Sequence, residues 1–480
     1  MRIIHAASEM YPYIKTGGLA DVVGALAHVL AGRGREVAVI LPGYRAVMDS
    51  SLVKEAKRTH RLKVRLGAQE LDGEVHTLAV RPGLTLHLVT RDEYFDRRNL
   101  YGNGERDYDD NDARFIFFQK AVVEFMRTES GGYDVLHAHD WQTGLLPLLL
   151  RNAEQRGGVK LATRTIFTVH NMCYQGVFPR TSFALTNLHE SLNSTEGIEY
   201  FGQISLLKGG LLYADRVTTV SPTYAQEIHT AAHGFGLEGV VTLRGGAVSG
   251  IRNGIETSVW NPATDKMLPA NFSIGDMAGK AVCRAALLAK MGWTEPCNGP
   301  VFALVSRMTT AKGHDLLLGV IEYLLKKNCR LIVLGSGEAK YEQAHRALAT
   351  AHPERLAVRI GVDEELSHLT FAGADFFLMP SHTEPCGLTQ MYAQVYGTVP
   401  LASRVGGLID TVRDMAEPGG KGTGIMFRPE PNEFVKAIGR ALKLYADQTR
   451  FVAVQRCAMQ QDFSWENVVG HYEQLYNGSF

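Results

Sequence analysis

The stretch "KTGGLADVVGALAHVLAGRGREVAVILP", residues 15–42, decides the fold. It follows a short apolar run, Ile3 to Ala7, and places Gly17 and Gly18 ahead of a helical pattern. Leu19, Val22, Val23, Leu26, Val29 and Leu30 recur at three- and four-residue spacing, and Gly32 to Gly34 end the pattern. A second apolar run, Val37 to Leu41, follows. Strand, turn, helix and strand in that order predict a parallel sheet whose ligand crevice lies beyond the carboxyl ends of its strands. Backbone amides at the helix start suit a phosphate. A tight turn is the other use of the same two glycines.

Further strands are expected at Val135–Ala138, Thr165–Val169, Val217–Val220 and Val248–Ile251, mostly with helical patterns between them. A second series runs through Val301–Val305, Leu331–Leu334, Leu356–Ile360, Phe376–Met379 and Val399–Ala402. The chain therefore reads as two α/β halves, joined through "NGIETSVWNPATDKMLPANFSIGD", residues 253–276, which is rich in turn formers. Its length of 480 residues is too great for one core and fits two domains of about 200 residues or more.

Composition narrows the class. Lys plus Arg and Asp plus Glu both number 50, so no net field favours nucleic acid or an anionic membrane. The longest apolar runs, such as Leu145 to Leu150, fall far short of the roughly 20 residues of a membrane span. The chain enters its first strand after Met1 and Arg2 without a signal-peptide pattern, and a cytoplasmic location is expected. Cysteines 173, 283, 297, 329, 386 and 457 show no CxxC or disulfide-framework spacing and suit a reducing compartment.

Two doubly wound domains facing across a deep cleft would concentrate chemistry in the loops after their strands. Those loops are polar: "HDWQTG" at 139–144, "HNMCYQG" at 170–176, "RNG" at 252–254, "SRMTTAKG" at 306–313, "SHTEPCGLTQ" at 381–390 and "SRVGGLIDT" at 403–411. Arg307 and Lys312 can hold a diphosphate and stabilise it as a leaving group, or form an ordinary solvated basic loop. Glu384, at a helix entrance, can accept sugar hydroxyls or cap the helix, while the amides of Leu388 and Thr389 suit a phosphate. Gly406 and Gly407 repeat that device. His170 and Asp140 each have a site reading and a structural one, Asp140 as a helix cap. Cys386 reads as a small buried thiol rather than a nucleophile. The acidic run "YDDND", 108–112, resembles a divalent-ion cluster but reads better as capping or solvated residues.

No GxGxxG follows the first strand, and Gly335-Ser336-Gly337 lacks a third glycine, which argues against a dinucleotide oxidoreductase. Gly275 to Lys280 has the wrong spacing for a P-loop, and neither a GxSxG elbow nor an HExxH motif is present. A cleft enzyme for a diphosphate and a hydroxyl-rich partner remains.

Taken together, "KTGGLADV", "HAHDWQTGL", "TVHN", "YQG", "KGGLLYADRVTTVSPTYAQEI", "NGIETSVWNPATD", "SRMTTAKG", "EPCGLTQMYAQVYGTVP" and "GGLIDTV" resemble the bacterial glycogen synthases and plant starch synthases along essentially the whole chain. These are retaining glucosyltransferases of the two-Rossmann-domain GT-B type. The resemblance implies an acceptor-side domain over 1–252 rejoined by a C-terminal helix at 463–480, a linker at 253–276, and a donor-side domain over 277–462. It implies transfer of glucose from ADP-glucose, or alternatively UDP-glucose, to the non-reducing end of glycogen or another α-1,4-glucan, with no metal and no other cofactor. Lys15, Gly17 and Gly18 would bind the diphosphate region, with Asp21 near the nucleotide. Arg307 and Lys312 would neutralise the departing phosphate. Glu384 would bind sugar hydroxyls and stabilise charge on the glucose, with Gly387, Leu388 and Thr389 beside it. His170 would line the donor glucose, and Asp140 and Asn253 would complete the pocket.

Three positions depart from the wider pattern. Related retaining transferases carry a second glutamate eight residues after the first; Tyr392 stands there, as in the glycogen synthase branch. The branch's "SRFEPCG" reads "SHTEPCG", with His382 for an arginine, and Val362 replaces an aromatic residue near the base, which weakens stacking on adenine. A non-catalytic glucan-binding relative is the reading from another class, against which Lys15, Arg307, Lys312 and Glu384 argue. A phosphorylase would require lysine-bound pyridoxal phosphate and a longer chain.

Overall fold

A computed structural model describes residues 1–104, 106–157, 163–294, 298–417, 419 and 421–478. Cys297, among the cysteines noted above, lies outside them. The chain forms two compact units: one of residues 1–220, 225–251 and 468–480, the other of residues 221–224 and 252–467.

The first unit is built on a nine-stranded sheet in the order Val248–Gly250, Arg216–Thr219, Arg164–Val169, Val135–His139, Arg2–Ala6, Glu36–Pro42, Leu84–Thr90, Gln69–Arg81 and Lys57–Leu66. The first seven pair in parallel and the last two extend them antiparallel. The opening helix forms over Gly18–Gly32 and buries Leu19, Val22, Val23, Leu26 and Leu30, while Val29, the other member of the expected stripe, is half-buried. Leu84–Thr90 here and Ile425–Phe427 in the second unit stand outside the expected strands, as does the antiparallel extension. Its polar and apolar residues alternate, as in "HRLKVRL", and this marks strands with one wet face.

The second unit holds a six-stranded parallel sheet in the order Leu356–Ile360, Arg330–Gly335, Val301–Val305, Phe376–Met379, Val399–Ser403 and Ile425–Phe427. Residues 253–276, expected as a linker, lie within this unit. Trp260 is stacked between His368 and Tyr392 at ring separations of 3.9 and 3.8 Å. The C-terminal helix runs Trp465–Asn477, and its residues from Val468 onward belong to the first unit.

Chain order explains where each unit places its polar loops. Arg2–Ala6 lies between Glu36–Pro42 and Val135–His139, and Val301–Val305 lies between Arg330–Gly335 and Phe376–Met379. At both points successive crossovers leave on opposite sides, which opens a crevice beyond the strand ends. Asp140 follows one such strand directly, and Arg307 and Ser381–Glu384 follow two others.

Candidate active site

In the second unit the loop after Val301–Val305 turns through a short 3-10 segment, Thr310–Lys312, into the helix His314–Leu325. Gly313 makes this turn possible. Its φ is +74°, and a Cβ there would stand 1.8 Å from the Pro380 carbonyl oxygen. The close approach brings Lys312 to Glu384: Nζ lies 2.7 and 2.6 Å from the two carboxylate oxygens, and Ser381 Oγ donates to one of them at 3.2 Å. Glu384 is buried and caps no helix, since the next helix, Thr389–Val395, is preceded by Leu388. Arg307 is exposed on the same loop. Gly335 and Gly337 also serve this loop, because Cβ atoms on them would meet the carbonyls of Ser306 and Met308 at 1.8 and 2.4 Å.

The "EPCGLTQ" segment is held by Gln390, whose Nε2 donates to the carbonyls of Cys386 and Gly387, both at 3.0 Å, and to Thr411 Oγ1. Gly387 takes a φ of +75°. Gly407 donates its amide to the Glu384 carbonyl at 3.0 Å, and a Cβ on it would collide with Cys386 Cα at 2.4 Å. The second Gly-Gly pair thus lets two loops touch. Burial pushes the Cys386 thiol up to about 12, which removes it as a nucleophile at neutral pH. Asn253 is buried in this unit, with its side-chain oxygen unpartnered among the described residues.

In the first unit, Gly17 precedes the helix with φ −156° and ψ −169°, and Gly18 also avoids positive φ. A Cβ on Gly17 would meet nothing within 4 Å. Neither turn geometry nor packing therefore demands glycine at position 17. Lys15 pairs with Asp21 at 2.7 Å, and the buried Glu9 accepts from the Thr16 amide and, at 2.6 Å, from the Thr16 hydroxyl.

Asp140 takes φ 57° and ψ −178°, a region open almost only to glycine. Its side chain makes no helix cap. Instead Oδ1 accepts the His170 amide at 2.7 Å, and the Asn171 amide also bonds the carboxyl, fixing the end of the neighbouring strand. Burial raises this carboxyl to about 7 against those two bonds. The acidic run at 108–112 is consumed locally. Asp110 receives two bonds from Arg97, and Asp112 receives one from Ser182.

Sequence reasoning missed Glu9, Gln390 and a buried imidazole cluster. The rings of His5, His137 and His139 bring nitrogens within 4.8 Å of one another, a spacing at which a metal can be held. Yet both ring nitrogens of His137 and of His139 already have partners, so an ion would have to break those bonds. The legible signal was the "HxH" alternation on one strand beside His5 on the next.

A family profile for the starch synthase catalytic domain matches residues 2–243, and one for glycosyl transferases group 1 matches residues 292–456. The glycogen synthase of Opitutus terrae is 53% identical over 476 residues, covering 99% of both chains. This chain belongs to the glycogen synthase and starch synthase family. The glycogen synthase of Myxococcus xanthus, 41% identical over 480 residues, is a second such relative, also covering 99% of both chains. The solved catalytic domain of starch synthase IV from Arabidopsis thaliana, bound to ADP and acarbose, superposes with a TM-score of 0.91. It is 30% identical and covers 99% of both chains. This family member is therefore a glycosyltransferase with the GT-B fold, two Rossmann-like α/β units in one chain. Sucrose-phosphate synthase from Thermosynechococcus elongatus, at 18% identity and a TM-score of 0.61 over 99% of this chain and 98% of its own, shares the fold. Among the described residues no helix is long and apolar enough to cross a membrane.

Proposed function

We propose that this glycosyltransferase transfers glucose from ADP-glucose to the non-reducing end of an α-1,4-glucan, with retention of configuration and without a metal, in the cytoplasm. The Lys312–Glu384 pair, its lysine on the loop that also carries Arg307, is the observation that carries the reading. Two cations and a carboxylate beyond the ends of two neighbouring strands suit a sugar diphosphate, whose leaving group needs positive charge and whose glucose offers hydroxyls. Arg307 and Lys312 neutralise the departing diphosphate; Glu384 binds the sugar; Asn253, Gly387, Leu388 and Thr389 line the donor. On the first unit, Lys15, Gly17 and Gly18 are its candidate diphosphate contacts, Asp21 its candidate nucleotide contact, and Asp140 and His170 its candidate sugar contacts. The acceptor hydroxyl attacks from the face the diphosphate leaves, and a leaving phosphate oxygen takes its proton. A glucosyl group trapped covalently on any side chain would contradict this.

Val362 favours a second donor reading, UDP-glucose. It stands where an aromatic residue near the base is expected and is 95% exposed, so it offers a base no stacking ring. Purified protein incubated with glycogen, EDTA and either donor tests both. Faster extension from ADP-glucose supports the first reading, a UDP-glucose preference the second. No extension from either overturns both.

A further inference from the structure

Three imidazoles of the first unit form a line of contacts that ends at His170. His5 Nδ1 lies 3.1 Å from His139 Nε2, and His139 Nδ1 lies 3.1 Å from His170 Nε2. At the inner end, His5 Nε2 is buried without a partner among the described residues. Burial pushes His5 and His170 each down to about 3 and holds His139 well below its ordinary value, so all three rings are neutral. His137 stands beside this line but outside it, tied to Tyr476 and Thr168 at 2.8 and 2.6 Å.

A neutral imidazole carries one N–H, so two contacts among three rings admit only two proton arrangements. In one, each N–H points toward His170, which leaves a bare lone pair on His5 Nε2. In the other, each points back, and an N–H is buried on His5 Nε2 with nothing to accept it. Orphaned buried N–H groups are the rarer defect. The first arrangement therefore prevails, and it puts the His170 proton on Nδ1, the ring nitrogen outside the line.

We propose that His5 and His139 are positioning residues that hold His170 in its Nδ1–H tautomer, so that its ring offers an N–H donor to a hydroxyl of the transferred sugar. This rests on the sugar-transfer reading above. Asp140 completes the arrangement by holding the His170 backbone amide at 2.7 Å, so backbone and ring are fixed independently. A line of neutral rings orients the donor without adding charge, which a carboxylate in place of His139 would do.

The test is the His170 tautomer, read by long-range proton–nitrogen correlation on full-length protein labelled with 15N-histidine and assigned by loss of signal in His170→Gln. The expected state is protonated Nδ1 and bare Nε2. In His139→Asp, whose carboxylate accepts at that place, the proton should move to Nε2, and kcat/KM for the nucleotide sugar should fall about tenfold, the scale of one hydrogen bond. His139→Asn, whose amide occupies the place of Nδ1, should restore both. Protonated Nε2 in the unsubstituted protein would overturn the proposal. An unchanged tautomer in a folded His139→Asp would overturn it as well. Absence of glucosyl transfer by the unsubstituted protein would instead fail the functional reading, and the tautomer would still report the line of rings.

Discussion

Lys312 bonds both carboxylate oxygens of Glu384, at 2.7 and 2.6 Å, yet the two partners are unequally buried: 5% of the Glu384 side chain is exposed against 22% of Lys312. The pair joins loops after two neighbouring strands, and each residue is also a candidate to touch the donor. The inequality separates stability from activity. Lys312→Ala leaves a buried carboxylate with Ser381 alone, whereas Glu384→Gln leaves an ammonium that can reach water. Lys312→Ala should cost about 2–3 kcal/mol and Glu384→Gln under about 1 kcal/mol, while both should abolish transfer. Urea unfolding beside a glucan-extension assay checks this; equal stability losses would contradict it.

Gly17 and Gly313 should respond in opposite ways. Alanine at position 17 meets open space and an extended backbone, so stability should stay within about 0.5 kcal/mol while the KM for the nucleotide sugar rises. Alanine at position 313 meets positive φ and the Pro380 carbonyl, and should cost at least about 1–3 kcal/mol. Thermal melts with donor titrations distinguish a glycine kept for substrate from one kept for the fold.

Asp140 should leave a mark on the pH dependence of stability. Its folded value, about 7, lies above the ordinary 3.8, so the folded state holds the proton more tightly. That contribution is present in full below about 4 and is lost as pH rises through about 7. Asp140→Asn keeps an acceptor oxygen for the His170 amide and removes the titration. Its melting temperature should therefore fall less than that of the unsubstituted protein between pH 5 and 8, a window set by the folded value of about 7. Parallel profiles would refute the assignment.

The Cys386 thiol, pushed up to about 12 by burial, should resist iodoacetamide at pH 8 in folded protein, while the exposed Cys173 alkylates. Mass spectrometry of the peptides reads this directly, and Cys386→Ala should retain most activity.

Much was legible in the chain because it was written locally. The helix after Gly18 and nearly all the parallel strands follow from apolar periodicity, and the polar loops follow from where those strands end. The motifs carrying Arg307, Lys312, Glu384, Asp140 and His170 placed the chain in its family for the same reason. The antiparallel strands over 57–81 were equally local, as their alternation shows, but went unread.

Other features depend on residues far apart in sequence, and no window of the chain contains them. Lys312 and Glu384 are 72 positions apart and His5 and His139 are 134 apart, so their pairing exists only once strand order is set. Tertiary packing also decided what each glycine is for: Gly407 admits another loop, Gly313 admits a carbonyl, and Gly17 faces open space. It likewise made Tyr392 a stacking partner for Trp260 and turned Asp140 from a helix cap into a clamp on the next strand. Local sequence specifies which elements form, because backbone propensity and periodicity act over a few residues. Hydrogen bonds between elements, and the burial that shifts a proton, arise only when the sheet brings those elements together.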